Sequence, residues 1–200
     1  NGSLTVEQYN LTTAWDTSSL VYDNNFTVSN ENQLRSLAFK YDGTKMYVTG
    51  AETEVIQQFT LSVPWDVTSA TKDSTESPSL SAKEDKVRSI QFNSDGTIFY
   101  IGGNDTDSIN KYTLSTPWDV STLEFSQSYS FSAQVSSSGN SIMAGFIFTA
   151  NFTKLYITQD TDSRQSQTGV NTVYEYSVAC AETITCLDAS TNADVKAIIE

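Results

Sequence analysis

The chain has 200 residues, of which 38% are hydrophobic and 12% aromatic, and it carries 24 acidic against 11 basic residues. This apolar content is too high for an intrinsically disordered chain, and the net charge of −13 repels phosphate backbones and anionic membrane surfaces. We therefore expect no nucleic-acid partner. The longest nearly apolar run, residues 142–148, is too short to cross a bilayer, so we expect no membrane insertion either.

A ten-residue motif containing Trp-Asp occurs three times along the chain. It reads Tyr-Asn-Leu-Thr-Thr-Ala-Trp-Asp-Thr-Ser around Trp15, Phe-Thr-Leu-Ser-Val-Pro-Trp-Asp-Val-Thr around Trp65, and Tyr-Thr-Leu-Ser-Thr-Pro-Trp-Asp-Val-Ser around Trp118. The tryptophans are therefore 50 and 53 residues apart. Self-similarity at a period of this length indicates a repeat architecture.

A second motif recurs with the first. It reads Arg-Ser-Leu-Ala-Phe-Lys-Tyr-Asp-Gly-Thr-Lys-Met-Tyr-Val from Arg35 and Arg-Ser-Ile-Gln-Phe-Asn-Ser-Asp-Gly-Thr-Ile-Phe-Tyr-Ile from Arg88, and a worn copy starts at Ala144. Apolar alternation before Asp-Gly-Thr predicts one strand, the glycine predicts a tight hairpin turn, and the apolar residues after it predict a second strand. The Trp-Asp motif then supplies a third strand and a turn, and a Ser/Thr-rich fourth strand closes each unit.

Four strands in about 50 residues is the size of one β-propeller blade. Together, Pro-Trp-Asp-Val-Ser/Thr and Asp-Gly-Thr-x-x-Tyr-Val/Ile resemble a family of β-propeller repeats found in phage and bacterial surface proteins and in marine algal extracellular proteins. We therefore predict an all-β, propeller-like fold with roughly 3.5–4 four-stranded blades in this chain. The resemblance implies an extracellular binding or structural setting and supplies no catalytic residues.

The predicted repeat region covers residues 1–189, and residues 190–200 form a tail or the start of a further element. Three closures stay open: a small four-bladed ring, a ring shared with another copy, and a fragment of a larger propeller. A parallel β-solenoid is the weaker alternative, because its repeats are usually shorter and lack hairpin glycines. Residues 1–3 do not read as a signal peptide, so we expect a removed leader or a longer parent chain. The units are expected near residues 1–30, 31–82, 83–134 and 135–189.

Acidic pairs separated by a threonine follow the second strand in three successive units. Equivalent loops of a propeller gather on one face, so these carboxylates could converge at the mouth of the channel. Calcium takes several oxygen ligands and is the one cofactor we would expect at such a cluster. The alternative is a solvated acidic rim that keeps the protein in solution. The six residues are Glu52, Glu54, Asp105, Asp107, Asp160 and Asp162.

The three tryptophans could form a stacking platform for sugars. Their fixed place in each repeat favours a structural role instead, in which Trp15, Trp65 and Trp118 wedge between neighbouring units and are buried there. The aspartate after each tryptophan is expected to accept backbone N–H bonds within the turn.

Two features are typical of an extracellular protein. Cys180 and Cys186 flank a fourth turn in which Glu182 replaces the tryptophan, and a disulfide between them would clamp that turn; bonding to another chain is the alternative. Asn-x-Ser/Thr sequons predict N-glycosylation, and Asn10 should face solvent because it alternates with the inward-facing Tyr9 and Leu11. The five sequons begin at Asn1, Asn10, Asn25, Asn104 and Asn151.

The chain has no histidine, which removes Ser–His and Cys–His arrangements and histidine-based zinc sites, so we predict that it is not an enzyme. Carboxylate-only glycoside hydrolysis remains chemically open. We predict a non-enzymatic extracellular or cell-surface module with a structural or adhesive role, such as a subunit of an appendage or fibre. Its partners would be other subunits or copies of itself. The alternative is a soluble binding propeller that recognises carbohydrate or protein through its acidic loop face.

Overall fold

The computed structural model describes residues 4–31, 33–51, 53–84, 86–103, 106–131, 141–161 and 172–177. Within these ranges, the regular structure consists of 13 β-strands and three 3-10 helices of three residues each. The strands form four antiparallel sheets in chain order, which we call units one to four. None of the helices in the described ranges is long and apolar enough to cross a membrane.

Unit one pairs β1 (Thr5–Leu11) with β2 (Leu20–Thr27). Unit two has the strand order β3 (Leu34–Phe39), β4 (Lys45–Gly50), β5 (Ile56–Leu61) and β6 (Ala70–Glu76). Unit three repeats this order with β7 (Val87–Phe92), β8 (Ile98–Gly103), β9 (Ser108–Leu114) and β10 (Leu123–Ser130). Unit four contains β11 (Ser141–Phe148), β12 (Lys154–Thr161) and β13 (Thr172–Ser177). The 3-10 helices are Thr17–Ser19, Val67–Ser69 and Val120–Thr122.

The first strands of successive units lie side by side. β3 packs against β7, and β7 packs against β11, while the later strands of each sheet lie progressively further from this contact. Four-stranded antiparallel sheets arranged in this way are the blades of a propeller. The all-β, propeller-like fold class predicted from the repeats is therefore confirmed.

The Asp-Gly-Thr motif closes the inner hairpin of units two and three. Gly43 has a φ of 72°, in the left-handed region that favours glycine. Asp42 Oδ1 accepts the Thr44 amide at 3.0 Å and the Thr44 hydroxyl at 2.6 Å, and the same bonds recur around Asp95 in unit three. The aspartate therefore fixes the turn in which the glycine supplies the required backbone conformation.

Three apolar clusters hold the described part of the chain together, and each one joins two neighbouring units. The cluster between units one and two brings Val6 and Val28 against Met46, Phe59 and Leu61. Full burial of one large apolar side chain is worth roughly 1.5–3 kcal/mol, so burial in these joints contributes to stability. The other two clusters join units two and three and units three and four in the same manner.

Unit one departs from the predicted pattern. Tyr9 and Leu11, expected to face inward, are 47% and 45% exposed, whereas the equivalent Phe59 and Leu61 of unit two are buried. The face that carries Phe59 packs against the preceding unit, and unit one has no preceding unit in the described part of the chain. The expected burial of Tyr9 and Leu11 is therefore wrong, whereas Asn10 is exposed as expected.

Candidate functional site

The Trp-Asp turn has the same internal hydrogen bonds in all three copies. Asp16 Oδ1 accepts the Ser18 amide at 2.9 Å and the Ser18 hydroxyl at 2.6 Å, and these bonds lower the pKa of the Asp16 carboxyl. Asp66 and Asp119 make the equivalent bonds at the start of their own 3-10 helices. The predicted role of these aspartates, accepting backbone N–H bonds within the turn, is confirmed.

In units two and three, the tryptophan of the turn lies over the hairpin glycine of its own unit. A Cβ added to Gly43 would be 2.5 Å from the Trp65 indole, and one added to Gly96 would be 2.3 Å from the Trp118 indole. Each tryptophan amide also donates to the carbonyl of that glycine at 3.0 Å. Neither the Asp-Gly-Thr motif nor the Trp-Asp motif alone indicates this contact. The sequence does contain a signal for it, because the glycine and the tryptophan are 22 residues apart in both units.

Trp118 joins units two and three. Its ring lies 5.0 Å from the Phe92 ring of its own unit and 5.8 Å, edge to face, from the Tyr41 ring of unit two. The Tyr47 hydroxyl of unit two donates to the Trp118 carbonyl at 2.7 Å. For Trp118 the structure therefore agrees with a wedge between units, although its side chain is partly rather than fully buried.

The burial predicted for the other two tryptophans is wrong. Trp65 is 52% exposed, with its ring 5.5 Å from Phe39 of the same unit, and Trp15 is 96% exposed. The reason is the shortness of unit one, which consists of β1 and β2 in the described ranges. It offers Trp15 no inner hairpin of its own and Trp65 no hairpin on the neighbouring side.

Phe152 takes the place of the indole in unit four. It stands at the position of the hairpin glycine, with a φ of 53°, and its side chain is buried. Its ring stacks on Phe148 at 5.3 Å and lies 6.1 Å from Tyr100 of unit three. Phe148 is equivalent to Phe92, which contacts Trp118. The hairpin therefore supplies an aromatic ring in the one unit whose turn sequence has Glu182 instead of tryptophan.

An open groove of about 450 Å³ lies at the joint between units two and three. Unit two contributes Lys45, Gln58 and Asp73, and unit three contributes Pro117 and Trp118. Lys45 Nζ is 3.0 Å from Asp73 Oδ2, and Gln58 Nε2 donates to the same oxygen at 2.6 Å. The groove therefore combines an ion pair with an aromatic side chain. Its lining is completed by Ser74, Thr75, Thr116 and Asp119.

The Asp73 carboxylate stays ionised in this groove. Burial alone raises its pKa, but hydrogen bonds from Gln58 and Thr60 and the Lys45 ammonium outweigh burial, so that the pKa is lowered. The groove therefore presents the ionised Asp73 carboxylate beside its ion-pair partner Lys45. Such a pair can bind hydroxyl groups as both donor and acceptor.

Gln58 also connects the two units directly. Its Oε1 accepts the Val120 amide of unit three at 3.1 Å. Gln8, the equivalent residue of unit one, accepts the Val67 amide of unit two at 3.0 Å and donates to Asp23 at 2.8 Å. At these two joints a glutamine thus binds the first amide of the next unit's 3-10 helix.

Two of the predicted calcium ligands, Glu54 and Asp107, fall among the described side chains, and neither belongs to a metal cluster there. Asp107 Oδ1 accepts the Met143 amide at 2.8 Å, which ties the loop to unit four. Among the described side chains, no three His, Cys, Asp or Glu residues lie close enough together to hold a metal ion. Glu52, Asp105, Asp162 and the Asp160 side chain lie outside the described part, so the calcium cluster stays a prediction.

A different carboxylate fixes these loops and was not singled out from the sequence. Glu84 is fully buried and accepts the Lys86 amide at 3.0 Å, the Thr106 amide at 3.2 Å and the Thr106 hydroxyl at 2.9 Å. In unit two, Glu31 accepts the hydroxyl of Thr53. In both units, therefore, a glutamate accepts a hydrogen bond from the threonine that lies between the two paired acids. The sequence signal that could have predicted this contact is a glutamate and a threonine 22 residues apart in both units.

Three of the five predicted glycosylation sites fall in the described ranges, and all three are exposed. Asn10 and Asn25 lie on β1 and β2, and Asn25 Nδ2 donates to the Tyr22 hydroxyl at 2.6 Å. Asn151 Oδ1 accepts the Thr153 hydroxyl at 2.8 Å, so it takes the place of the turn aspartate. Asn1, Asn104 and both cysteines lie outside the described residues, and glycosylation and the disulfide stay predictions.

Comparison with known proteins supports the fold. No family model and no curated protein matches the sequence. The structure is similar to several solved structures at low sequence identity. One is a proposed 6-phosphogluconolactonase from Bacteroides uniformis, with a TM-score of 0.54 and 13% identity over 89% of this chain and 51% of that one. A protein from Lactobacillus plantarum gives a TM-score of 0.53 and 11% identity over 89% and 48%.

At these identities the likeness shows the fold alone. The chain spans about half the length of the structures it matches. The described units therefore have the arrangement of propeller blades.

Proposed function

We propose that this chain is a non-enzymatic structural or adhesive module of the extracellular space or the cell surface. The observation that carries the proposal is the use of the repeated residues. Trp118, Tyr47 and Gln58 all make contacts across a joint between units, as described above. Gln8 and Gln58 make the same bond at two successive joints, and a contact that recurs in this way supports a structural role, since a single catalytic centre would need it once.

The repeated carboxylates support the same conclusion. Hydrogen bonds from Thr97 lower the pKa of Asp95, and those from Ser18 lower the pKa of Asp16, because each stabilises the ionised turn acceptor. A general acid or base works best with a pKa near the operating pH. A low pKa suits a permanent hydrogen-bond acceptor, so these aspartates are poor candidates for proton transfer.

Lactone hydrolysis is the activity to test, because one of the similar solved structures is named as a 6-phosphogluconolactonase. We expect the purified chain to leave the spontaneous hydrolysis of gluconolactone and 6-phosphogluconolactone unchanged. Asp73→Asn provides the matched variant, because Asp73 is the ionised groove carboxylate. An acceleration by the native chain that Asp73→Asn abolishes would overturn the non-enzymatic role.

The proposed extracellular setting is tested by looking for N-linked glycans on protein purified from its natural source. The exposure of Asn10, Asn25 and Asn151 makes all three accessible to a glycosyltransferase. For a eukaryotic source or a glycosylating archaeon, we expect peptide mapping with and without glycosidase to find glycans at Asn10 and Asn151. Complete recovery of unmodified peptides from such a source would contradict passage through a glycosylating pathway.

Carbohydrate binding is the second candidate function, and the groove at the joint of units two and three favours it. Trp118 and Pro117 offer apolar surface beside the Lys45–Asp73 pair. Sugars present an apolar ring face and hydroxyl groups together, so this combination suits them. Titration with a glycan panel, followed by tryptophan emission in a Trp15→Phe, Trp65→Phe background in which Trp118 is the remaining tryptophan, should then saturate with Asp73 present and fail in Asp73→Ala. Equal responses in both would remove the groove as the site.

A further inference from the structure

The glutamine that bridges units one and two and the glutamine that bridges units two and three each bind an aspartate of the outer strand. Gln8 Nε2 donates to Asp23 Oδ2 at 2.8 Å, and Gln58 Nε2 donates to Asp73 Oδ2 at 2.6 Å. Each glutamine also accepts the first amide of the next unit's 3-10 helix. At both joints, an aspartate is therefore linked through one glutamine to the turn of the following unit.

A β-bulge gives the two aspartates equivalent places in their sheets. In unit one, Asp23 stands between the residues that pair with Gln8 and Tyr9. In unit two, Asp73 follows the residue that pairs with Phe59, where the register of β5 and β6 shifts in the same way. A bulge changes the direction of a side chain relative to the regular ladder. Both carboxylates are therefore set by the same local device.

The turn of the following unit adds a proline and a tryptophan to each joint. Asp73 lines the groove of units two and three together with Pro117 and Trp118. At the joint of units one and two, Pro64 and Trp65 hold the equivalent positions, and both are exposed. β2, which carries the aspartate of this joint, contacts the 3-10 helix that follows them. The first joint therefore has the same carboxylate and aromatic components as the groove.

The hairpin of the preceding unit does not close such a groove. Tyr41 of unit two packs edge to face against the Trp118 ring at 5.8 Å, and Trp118 still lines the groove beside Asp73. The components of the first joint are therefore open to a ligand with or without a hairpin beside Trp65.

The joint of units three and four lacks all three components. Lys111 stands in place of the glutamine, and Ser126 stands at the bulge in place of the aspartate. Glu182 replaces the tryptophan in the sequence. Aspartate, glutamine and tryptophan thus occur together at two joints and are replaced together at the third, which indicates that they share one role.

These components match the chemistry of a neutral sugar. A pyranose with equatorial hydroxyl groups has an apolar ring face, which packs on an indole, and a rim of hydroxyl groups, which donate to a carboxylate. The net charge of −13 disfavours anionic saccharides. Glucose-type pyranoses therefore suit the two joints better than uronic acids or sulfated sugars.

We propose that the joint of units one and two is a second saccharide site, built from Asp23, Pro64 and Trp65. It binds the same class of ligand as the groove of units two and three, namely neutral glucose-type pyranoses. Two such sites on successive units increase the avidity for a polysaccharide, because the second contact is intramolecular. This inference rests on carbohydrate binding, the second candidate function above, and adds to it a second site and a ligand class.

The side chains of the three tryptophans report on the sites separately. Each indole N–H gives its own signal in a proton–nitrogen correlation spectrum, and single Trp→Phe variants assign the signals. Titration of the 200-residue chain with cellobiose should shift the signals of Trp65 and Trp118 to saturation. The signal of Trp15 should stay in place, because the described part of the chain has no unit before unit one.

Substitution of the aspartates should affect one site at a time. Asp23→Ala should remove the response of Trp65 and leave that of Trp118, and Asp73→Ala should do the reverse. Asp23→Asn keeps an acceptor oxygen for the glutamine, so it preserves the joint and removes the charge. It should weaken the affinity reported by Trp65 about tenfold, because charge-assisted hydrogen bonds are lost.

Ser126→Ala is the matched control, because Ser126 is the exposed bulge residue of β10, and both responses should stay native. A response of Trp118 alone would overturn the second site and leave carbohydrate binding at the groove. A Trp65 response that survives Asp23→Ala, or that is lost in Ser126→Ala, would also overturn the second site. No response of Trp65 or Trp118 would overturn both this inference and carbohydrate binding, and the structural role would stand.

Discussion

Gly96 and Trp118 are in direct contact although they belong to separate sequence motifs. The indole occupies the space in which a Cβ on Gly96 would lie, at 2.3 Å, and the Trp118 amide donates to the Gly96 carbonyl at 3.0 Å. Gly43 and Trp65 repeat the arrangement in unit two. The hairpin turn and the Trp-Asp turn of a unit therefore position each other, and Trp118 in turn contacts Tyr41 of the preceding unit.

Gly96→Ala should destabilise the protein by about 1–3 kcal/mol, the range for a non-glycine residue held in a strained backbone region. Its φ is 74°, and the new Cβ would displace the indole as well. Gly145→Ala is the control, because its Cβ would meet only Thr158 Oγ1, at an ordinary 3.5 Å. Urea unfolding gives both free energies. Equal effects of the two substitutions would mean that the glycine–indole contact has no energetic role.

Trp118→Ala should cost about 3 kcal/mol, the lower end of the range for buried tryptophans, because this indole is only partly buried. Trp15→Ala should stay within about 0.5 kcal/mol, as is usual for exposed positions, when it is measured at low protein concentration. The difference between the two variants in the free energy of unfolding measures how much Trp118 stabilises the joint between units two and three. A larger loss for Trp15→Ala than for Trp118→Ala would contradict the structure.

Phe152 should contribute stability through its ring in spite of its positive φ. Phe152→Ala removes the stacking with Phe148 and keeps the backbone strain, so we expect a loss of about 3 kcal/mol. Phe152→Gly removes the ring and relieves the strain, so it should lose about 1 kcal/mol less. Thermal unfolding compares them. A neutral or stabilising Phe152→Gly would show that Phe152 is only a worn copy of the turn glycine.

Acid should destabilise the protein through its turn aspartates. The Thr97 hydroxyl and amide lower the pKa of Asp95 below the value of about 3.9 for an unfolded chain. A group with a lowered folded-state pKa stabilises the protein above its unfolded pKa, and that contribution is lost as the pH falls through the folded pKa. Asp95→Asn keeps the acceptor oxygen, as Asn151 does naturally, and should make the acid limb of the stability curve shallower. An unchanged acid limb would exclude Asp95 as a contributor.

The sequence was sufficient to predict the fold class, because the period of about 50 residues and the two turn motifs each fix local geometry. It was also sufficient for Asp16, Asp66 and Asp119, whose hydrogen bonds are made within two residues of the chain. Local rules apply equally in every copy of a repeat.

Burial could not be predicted in the same way, since it depends on the neighbouring unit. Trp15, Trp65 and Trp118 have nearly the same sequence surroundings, yet their exposure differs greatly because the number of neighbouring hairpins differs. Buried Glu84 was missed for a related reason. Its partner Thr106 lies 22 residues away, across a complete hairpin, and only the comparison of spacings between units would have shown the pair.

The central claim, that this chain is an assembling structural module, is tested most directly by sedimentation velocity of the unglycosylated 200-residue chain over a series of protein and salt concentrations. The structural account predicts species heavier than the 22.0 kDa monomer, whose fraction grows with protein concentration and with added salt. A single 22.0 kDa species under every condition would contradict it.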